Sequence, residues 1–526
     1  MTASATPLAP GAPSAHPSAN PKVGHAAHTR AAERQQGLPG DVTRPIHLTF
    51  LGAGSNFCPR LCRDVLSIPG AERGELRLVD IDPDRLATMH RVIERLIERT
   101  GRSAGWTVRS STDRRAVLPG SHYAVCCVEV SGVECVAHDN DIPLRYGVDQ
   151  CIGDTMGPGG LFKGLRSAPV FLDILRDMAE LCPGAVMLNY TNPMSLLCLA
   201  AGRAVPEVSV VGLCHSVQGT SHLLAEYAGV PYDEMRWACA GINHLAWFTK
   251  LEHGGRDLYQ SCLYEKFAQD IADGRREAEA GRARHDNADL PWDAKAEDKP
   301  YAYDDLVRKD MCVHFGAFIT ESSGHLSEYL PYYRKSDEGR KLLRLAYNGG
   351  SRFYASNWPE WRRKADAERE RWVTGQEDVE AERSWEYASW IVEAIEKDAP
   401  LRIHGNVMNR AASHGAACKQ ASAGEAGKLI TNLPGDGCVE VSCLVDGAGV
   451  QPTRYGALPA QMAHVCASNM AFFDLAATAA IDKSRDAAVH ALLLDPLCQA
   501  VLTPGQIADM AVEMFHAERD YLPGFA

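Results

Sequence analysis

Hydrophobic positions in the first half of the chain follow two alternating patterns. A nearly continuous apolar run at residues 46–54 predicts a buried strand, and residues 75–82 predict the next strand. Between residues 84 and 99 the apolar positions recur every three or four residues instead, which predicts an amphipathic helix. Three further apolar runs predict strands, at residues 123–130, 185–190 and 208–213. Strands that alternate with helical patterns indicate an α/β fold with a doubly wound parallel sheet.

The second half of the chain mixes elements without a regular alternation. Residues 428–460 return to strand-like runs, and roughly the last 60 residues show helical spacing. Residues 268–300 are rich in charged residues and are interpreted as an exposed helical excursion or a lid, and residues 376–398 as a charged surface helix. This half is therefore expected to form a mixed α+β domain.

Composition and charge restrict the classes of function. Of the 526 residues, 45% are hydrophobic and 23% are charged, as in soluble proteins with a substantial core. The apolar runs fall short of the ~18 residues that a membrane helix needs. The net charge of −13 disfavours nucleic acid and anionic membranes as partners. The 17 cysteines include no Cys-x-x-Cys pair, so most are interpreted as free thiols in a reducing cytoplasm.

A glycine turn follows the first predicted strand, with the sequence Gly52-Ala53-Gly54-Ser55-Asn56. Such a turn lets backbone N–H groups approach a pyrophosphate and is typical of dinucleotide-binding domains. Asp80 ends the second strand, where a carboxylate accepts hydrogen bonds from an adenosine ribose and repels a 2′-phosphate. These features favour NAD over NADP. Phe57 replaces the third glycine of the motif, and Asp80 could equally cap the following helix.

The predicted organisation follows from these patterns. Residues 45–225 are expected to form an NAD-binding Rossmann-like domain of the lactate and malate dehydrogenase type. Residues 226–526 are expected to form the α+β domain, which carries catalysis and oligomerisation. Residues 1–44 are rich in Ala, Pro, Ser and His and lack the apolar stretch of a secretory signal, so they are predicted to be a disordered extension.

Cys214 and His244 each end a run that begins with glycine, Gly-Leu-Cys-His and Gly-Ile-Asn-His. A thiolate and an imidazole are suitable ligands for a divalent transition metal, and two protein ligands leave positions open for a chelating substrate. Both residues could instead belong to the core, where a free thiol and a hydrogen-bonded histidine are common.

Other polar segments are candidates for substrate contacts. Residues 153–166 form a glycine-rich loop with Asp154, which is either a structural loop or a substrate or phosphate cradle. Asn192 follows the strand at 185–190, and its amide could hold a sugar hydroxyl or cap a helix. The stretch 314–333 packs His, Glu and aromatic residues densely, as carbohydrate sites often do.

Taken together, these segments resemble the NAD- and metal-dependent glycoside hydrolases of family 4, in particular the branch that acts on α-galactosides, α-glucosides and α-hexuronides. The resemblance extends from about residue 46 to residue 524. The matching motifs are Gly-Ala-Gly-Ser, Gly-Asp-Thr-x-Gly-Pro-Gly-Gly, Asn-Tyr-x-Asn-Pro-Met, Gly-Leu-Cys-His-Ser-Val-Gln-Gly, Gly-Ile-Asn-His and Thr-Glu-Ser-Ser-Gly-His-x-Ser-Glu-Tyr. They are followed by Asn-Leu-Pro, Val-Glu-Val and Leu-Asp-Pro in the same order.

The resemblance implies a redox-neutral elimination in place of the usual two-carboxylate hydrolysis. NAD takes a hydride from C3 of the sugar, a base removes the C2 proton, and a metal stabilises the enediolate. The aglycone then leaves C1, water adds, and the hydride returns. The implied cofactors are NAD and Mn²⁺, and the implied substrate is an unphosphorylated α-glycoside.

Individual roles are carried over by position. Cys214 and His244 match the metal ligands of the family, and Asn192 matches its sugar-contacting residue. Asp154 is assigned to the substrate as well. His215 stands where the family places a proton donor to the leaving group, a task that suits a group titrating near neutrality. The cofactor site is assigned to Gly52, Gly54, Ser55, Asn56 and Asp80.

The general base is the main departure from the family. Lys309 is the best match to the usual tyrosine, and Tyr301 or Tyr303 could serve instead. A lysine needs a lowered pKa to act as a base. Arg308 and Lys309 could also bind a substrate carboxylate, so an α-glucuronide or an α-galacturonide is an alternative substrate. An α-glucoside is a further alternative within the same family. An α-galactoside ranks first.

Two other functions fit part of the sequence. A NAD-dependent dehydrogenase of 2-hydroxy acids shares the first domain, and a non-enzymatic sugar or nucleotide sensor explains the glycine turn but not Cys214 and His244 together. The resemblance also implies a homodimer or homotetramer that binds a small-molecule glycoside.

Overall fold

The structure is a computed structural model and describes residues 36–281, 303–379, 382–410 and 427–525. Within these residues, thirteen strands form one continuous sheet. Eleven of them lie in the order β10-β8-β7-β12-β11-β6-β5-β4-β1-β2-β3, with β9 paired to β8 and β13 to β12. The strands of the first half are β1 (Ile46–Leu51), β2 (Gly74–Val79), β3 (Trp106–Ser111), β4 (Tyr123–Cys126), β5 (Val186–Asn189) and β6 (Ser209–Gly212).

These six strands are parallel and have the spatial order 3-2-1-4-5-6 of a doubly wound dinucleotide-binding fold. Their side chains are mostly buried because helices cover both faces of such a sheet. The predicted α/β class and the five strands predicted from apolar runs are confirmed. The structure also contains β3, which the apolar pattern did not predict.

The strands of the second half are β7 (Arg236–Ile242), β8 (Leu245–His253), β9 (Arg256–Asp257), β10 (Phe318–Ile319), β11 (Leu401–Met408), β12 (Cys438–Asp446) and β13 (Gly449–Pro452). They are antiparallel to their neighbours. The junction between the two halves is the antiparallel pair of Gly212 in β6 and Asn406 in β11. The carboxyl end of β6 therefore faces directly onto the antiparallel half.

Helices surround the sheet. In chain order they are α1 (Phe57–Leu66), α2 (Pro83–Arg99), α3 (Glu134–Arg145), α4 (Gly157–Leu181), α5 (Met194–Ala204), α6 (Ser216–Ala228), α7 (Tyr264–Glu279), α8 (Leu306–Phe315), α9 (Ser323–Leu326), α10 (Asp337–Arg340), α11 (Phe353–Thr374), α12 (Tyr387–Lys397), α13 (Ala460–Asp482), α14 (Arg485–Leu494), α15 (Pro496–Val501) and α16 (Pro504–Ala517). Helix α2 begins where the carboxylate of Asp82 accepts hydrogen bonds from the N–H groups of Asp84 and Arg85. Its buried face is the apolar stripe that predicted it.

Among the described helices, α13 alone is long and apolar enough to cross a membrane. It packs against α4, α5 and α14, and half of its most apolar stretch is buried within the protein. A core helix of a globular protein has the same composition, and the packing of α13 is that of a core helix.

One of the two expectations for the charged segments needs correction. The surface helix expected at residues 376–398 is wrong, because α12 covers only its end and buries most of its side chains. The carboxylates of Glu393 and Glu396 are paired with Arg383 and Arg44, so these charges do not mark solvent exposure. The exposed charged helix is α11. In the polar excursion, α7 is helical to Glu279, and residues 282–300 lie outside the described residues.

The described part of the predicted N-terminal extension contacts α12. The backbone N–H of Leu38 donates to Glu393 Oε1 at 2.8 Å, and Arg44 forms a two-bond ion pair with Glu396. Residues 36–44 therefore belong with the folded body. Residues 1–35 lie outside the described residues.

Candidate active site

The glycine turn between β1 and α1 opens onto a cavity of about 860 Å³. Gly52 has a φ of +82°, and a Cβ there would lie 2.6 Å from the carbonyl oxygen of Cys127, so the turn requires glycine. The N–H of Gly54 donates to Asp80 Oδ2 at 2.7 Å, which holds this carboxylate at the end of β2. The five residues predicted to bind the cofactor all line this cavity: Gly52, Gly54, Ser55, Asn56 and Asp80.

The cavity has the features that a dinucleotide requires. The start of α1 provides N–H groups for an anion. A Cβ on residue 54 would lie 2.9 Å from Asp80 Oδ2, so this position requires glycine if the backbone is to stay open to a ligand. Ile81 beside Asp80 is 91% exposed at the cavity edge, where an apolar ring could cover it. These residues therefore fit an adenine dinucleotide with a free 2′-hydroxyl.

A second cluster contains Cys214, His244 and Glu321. Their ligand atoms all lie within 4.8 Å of one another. Cys214 follows β6, His244 lies in the turn between β7 and β8, and Glu321 follows β10. Thiolate, imidazole and carboxylate together fit a divalent transition metal. The sequence predicted the first two residues and missed Glu321, although the motif Thr-Glu-Ser-Ser-Gly-His in the stretch 314–333 contains it.

The geometry of this cluster is enforced by the backbone and by a neighbouring hydroxyl. His244 and Glu321 both have positive φ angles, +63° and +74°, which non-glycine residues adopt rarely and mostly at functional sites. His244 Nδ1 lies 3.1 Å from the hydroxyl of Tyr329, and this contact leaves Nε2 pointing at Glu321 Oε2, 3.4 Å away. A metal-ligating histidine is commonly oriented in this way by a hydrogen bond to its other ring nitrogen.

The protonation states suit a cation ligand set. Burial lowers the pKa of His244 to about 4, so its imidazole is neutral at neutral pH. Burial raises the pKa of Glu321 on its own, but His244 and His325 outweigh this effect and hold the pKa well below its usual range. Burial raises the pKa of the Cys214 thiol, and a bound cation would reverse that by binding the thiolate.

A chain of polar contacts links the metal cluster to the dinucleotide cavity. His325 Nδ1 lies 3.7 Å from Glu321, and His325 Nε2 lies 3.6 Å from Asp154 Oδ1. Lys163 Nζ lies 3.7 Å from Asp154 Oδ2 and 2.7 Å from Glu129, and Glu129 lines the cavity. The two candidate sites are therefore joined by a series of neighbouring side chains.

The predicted substrate residues Asp154 and Asn192 lie in the middle of this chain. Asn192 Nδ2 donates to Asp154 Oδ2 at 3.1 Å. Burial by itself raises the pKa of Asp154, but Lys163 and His325 outweigh it and lower the pKa, so the carboxylate is ionised. Nε2 of His325 has no hydrogen-bond partner among the described residues, although it is buried. Sequence reasoning assigned no role to His325, which the same Thr-Glu-Ser-Ser-Gly-His motif contains.

His215 is adjacent to the metal cluster and open to solvent. Its side chain is 59% exposed, and Nδ1 lies 3.7 Å from Glu386 Oε1. Burial raises the pKa of Glu386. An exposed imidazole beside a metal site is in a suitable place to exchange a proton with a leaving group.

The predictions for Arg308 and Lys309 are not supported by the geometry. The Arg308 guanidinium binds Asp305 Oδ1 and the hydroxyl of Thr220. The buried ammonium of Lys309 lies 2.6 Å from Asp270 Oδ2 and stacks on two aromatic rings. Both cations are held by structural partners, because buried cations require counter-charges.

The two tyrosines proposed as alternative bases are Tyr303 and Tyr301. Tyr303 is half-buried, with its ring next to Gly274 of α7. Tyr301 lies outside the described residues. The identity of the base therefore stays a prediction.

The chain matches known families along most of its length. The model for the family 4 glycosyl hydrolases matches residues 47–230, and the model for the C-terminal domain of the same family matches residues 239–498. An α-galactosidase of Rhizobium meliloti is 35% identical over 489 residues, which cover 91% of this chain and 89% of the relative. An α-galactosidase of Bacillus subtilis is 33% identical over 482 residues, covering 91% of this chain and 99% of the relative.

A solved structure shows the same fold. It is a 6-phospho-α-glucosidase from gut microorganisms, solved in complex with NAD and Mn²⁺, with a TM-score of 0.70 and 20% identity over 92% of this chain and 100% of that chain. The family models, the relatives and the fold agree with the motifs around the two clusters. The chain belongs to glycosyl hydrolase family 4 and is a glycosidase.

Proposed function

We propose that the protein hydrolyses unphosphorylated α-galactosides, with NAD⁺ in the glycine-turn cavity and Mn²⁺ on Cys214, His244 and Glu321. One observation carries this proposal: the chain of contacts through His325, Asp154 and Lys163 that joins the cluster to the cavity. A sugar bound over Asp154 would therefore face both groups at once. The two α-galactosidase relatives support the choice of sugar.

The cofactors proposed here match the residues that would hold them. Gly52, Gly54, Ser55, Asn56 and Asp80 would hold the dinucleotide. When bound, NAD⁺ supplies a reversible hydride acceptor for the sugar and the divalent cation supplies a Lewis acid, which is the chemistry of a redox-neutral oxidation, elimination and addition. The related fold solved with NAD and Mn²⁺ is compatible with this assignment.

The side chains of the cleft would bind and orient the sugar. The ionised carboxylate of Asp154 accepts hydrogen bonds from sugar hydroxyls, and Asn192 offers an amide beside it. Lys163 and His325 hold the Asp154 carboxylate from two sides. The choice of an unphosphorylated glycoside rests on the two α-galactosidase relatives.

His215 is the proposed proton donor to the leaving aglycone. It directly follows Cys214 in the chain, its ring is exposed, and Nδ1 rather than Nε2 is the nitrogen near Glu386, at 3.7 Å from Oε1. The base that takes the proton at C2 is proposed to be a tyrosine, Tyr301 or Tyr303, because Lys309 is occupied by Asp270.

A hexuronide substrate is the second candidate within the same family. It would need a free cation for the C6 carboxylate, and the two candidates in the sequence, Arg308 and Lys309, are paired with Asp305 and Asp270. These pairs favour the neutral galactoside. An α-glucoside differs only at C4 and is separated by experiment.

The proposal is tested with a panel of nitrophenyl glycosides. The purified protein is offered the α-galactoside, the α-glucoside and the α-glucuronide with NAD⁺, Mn²⁺ and a thiol. We expect the largest kcat/KM for the α-galactoside. A larger value for the glucuronide would reject the galactoside assignment and point to a carboxylate-binding cation. Accumulation of NADH with any of the substrates would favour a net dehydrogenase instead.

We also propose a cellular compartment and an oligomeric state for the enzyme. The sixteen cysteines of the described residues are all free thiols, which suits a reducing cytoplasm and protects Cys214 from disulfide formation. A homodimer or homotetramer stays a prediction.

A further inference from the structure

Helix α11 covers the open side of the dinucleotide cavity, although it is distant in sequence from the glycine turn. Trp358, Trp361, Arg362 and Arg369 of this helix line the cavity together with the residues of the turn. Arg362, Asp366 and Arg369 recur at intervals of four and three residues, so they share one face of α11. This face looks toward the start of α1 and the end of β2.

Two ion-pair or hydrogen-bond contacts anchor this face to the dinucleotide-binding half. Arg85 Nη2 at the start of α2 binds Asp366 at 2.7 and 2.9 Å. Arg369 donates to the side-chain oxygen of Asn56, immediately before α1, and to Asp366. These contacts fix the helix against the two turns that surround an adenosine diphosphate in this fold.

Arg362 has a different environment. It makes no side-chain hydrogen bond or ion pair with any of the described residues, and its Nη1 lies only 3.2 Å from the position of a Cβ on Gly132. Gly132 has a φ of +59° and its missing side chain leaves room for the guanidinium. The half-buried cation thus faces the cavity between the loop after β4 and the turn after β2.

The nearby carboxylates of Asp80, Asp82 and Asp366 attract Arg362 but form no hydrogen bond or ion pair with it, because each is held by other groups. Asp82 accepts hydrogen bonds from the N–H groups of Asp84 and Arg85. Asp80 accepts from the N–H groups of Gly54 and Asp82. Asp366 binds Arg85 and Arg369. A partly buried cation without a partner is unfavourable unless a ligand supplies the counter-charge.

We propose that Arg362 binds the diphosphate of the dinucleotide from α11, which already covers the cavity. The inference rests on the proposed NAD⁺ site. A guanidinium binds two phosphate oxygens with its planar fork, and the start of α1 binds the opposite side of the same diphosphate. The 2′-phosphate of NADP⁺ is a poorer partner because Asp80 repels it.

Calorimetric titrations of the full-length protein, without metal or sugar, test the proposal. The ligands are NAD⁺, ADP and adenosine, with adenosine measured by competition. The variants are Arg362→Ala, Arg362→Lys and, as a matched control, Arg176→Ala, which removes an exposed arginine of α4 paired with Asp173. We expect Arg362→Ala to weaken NAD⁺ and ADP by roughly 10- to 100-fold, as for a charge-assisted hydrogen bond, and adenosine by less than twofold.

Arg362→Lys is expected to recover part of the affinity, because it keeps the charge but loses the fork. The control should bind all three ligands as the wild type does. The proposal is overturned if Arg362→Ala binds NAD⁺ and ADP normally, or if adenosine weakens as much as ADP, since that would indicate displacement of α11. Wild-type protein that binds none of the three ligands would reject the proposed NAD⁺ site itself, which is a separate result.

Discussion

Glu321 Oε2 lies 3.4 Å from Nε2 of His244, and Cys214 completes a set of three ligand atoms within 4.8 Å. The three residues come from the ends of β6, β7 and β10, which the sheet brings together at the junction of its parallel and antiparallel halves. The candidate metal site is therefore a product of the whole sheet rather than of a local motif. A thiolate and a neutral imidazole together carry one negative charge. Glu321 adds a second, which balances the charge of a divalent cation.

We predict that Glu321→Gln reduces the affinity for Mn²⁺ by at least 10- to 100-fold, since loss of an outer-shell partner alone has an effect of this size. The fold and NAD⁺ binding should be retained, because the substitution keeps the shape of the side chain. Titration followed by the electron paramagnetic resonance of free Mn²⁺ measures the change. Glu338→Gln, at an exposed glutamate paired with Lys341, is the control. Equal Mn²⁺ affinity in the two variants would remove Glu321 from the site.

Asp154→Asn is predicted to lower kcat/KM for the α-galactoside by about 100- to 1,000-fold. The amide cannot accept hydrogen bonds at both atoms, and it leaves Lys163 and His325 without their shared carboxylate. NAD⁺ affinity should change by less than threefold. Steady-state kinetics measure kcat/KM, and a separate titration measures the affinity for NAD⁺. A variant with normal kcat/KM would show that the sugar lies elsewhere.

Gly52→Ala is predicted to abolish measurable NAD⁺ binding and to lower the free energy of unfolding by about 2–4 kcal/mol. A Cβ there combines a strained φ of +82° with contacts of 2.6–2.9 Å to the backbone of residues 127 and 128. Gly120→Ala is the matched control, because Gly120 has a φ of +76° and nothing within 4 Å of the new methyl group. It should lose about 1 kcal/mol and keep NAD⁺ affinity. Similar losses in both variants would mean that the turn tolerates a side chain.

Lys309→Met is predicted to act on stability more than on chemistry. It removes a buried ammonium and leaves the carboxylate of Asp270 without its partner, a loss of roughly 2 kcal/mol. The double variant Lys309→Met with Asp270→Asn should recover part of that loss. Urea unfolding and kcat of the folded protein distinguish the roles. A stable Lys309→Met protein with kcat lowered 1,000-fold would identify Lys309 as the base after all.

The parallel half of the fold was predictable because its signals are local. Most of its strands contain short apolar runs, with β3 as the exception, and the turn at Gly52 follows the first strand. Asp80, Asn189 and Cys214 stand at or just after the ends of their strands, and parallel strands bring such ends to one edge. The five residues predicted to bind the cofactor therefore line one cavity, and their binding to the cofactor stays a prediction.

The remainder depended on long-range pairing. Glu321 follows β10, a strand of two residues whose place in the sheet is set by β8 and not by its own pattern. Charges in α12 suggested a surface helix, but partners distant in sequence neutralise them. Lys309 was aligned to a catalytic position by sequence order alone, and only the structure reveals its bond to Asp270. The sequence did not indicate that the polar face of α11 covers the glycine turn, because the two segments are far apart in the chain.

Deuterium incorporation tests the central claim, that dinucleotide and cation act on one sugar in one cleft. The nitrophenyl α-galactoside is hydrolysed in D₂O with NAD⁺ and Mn²⁺, and the released galactose is examined by nuclear magnetic resonance. If the C2 proton is removed during the reaction, the released galactose should carry deuterium at that carbon. If both cofactors are required, no hydrolysis should occur after NAD⁺ and the metal are removed. Galactose that keeps its proton at C2, released equally fast without either cofactor, would contradict the account.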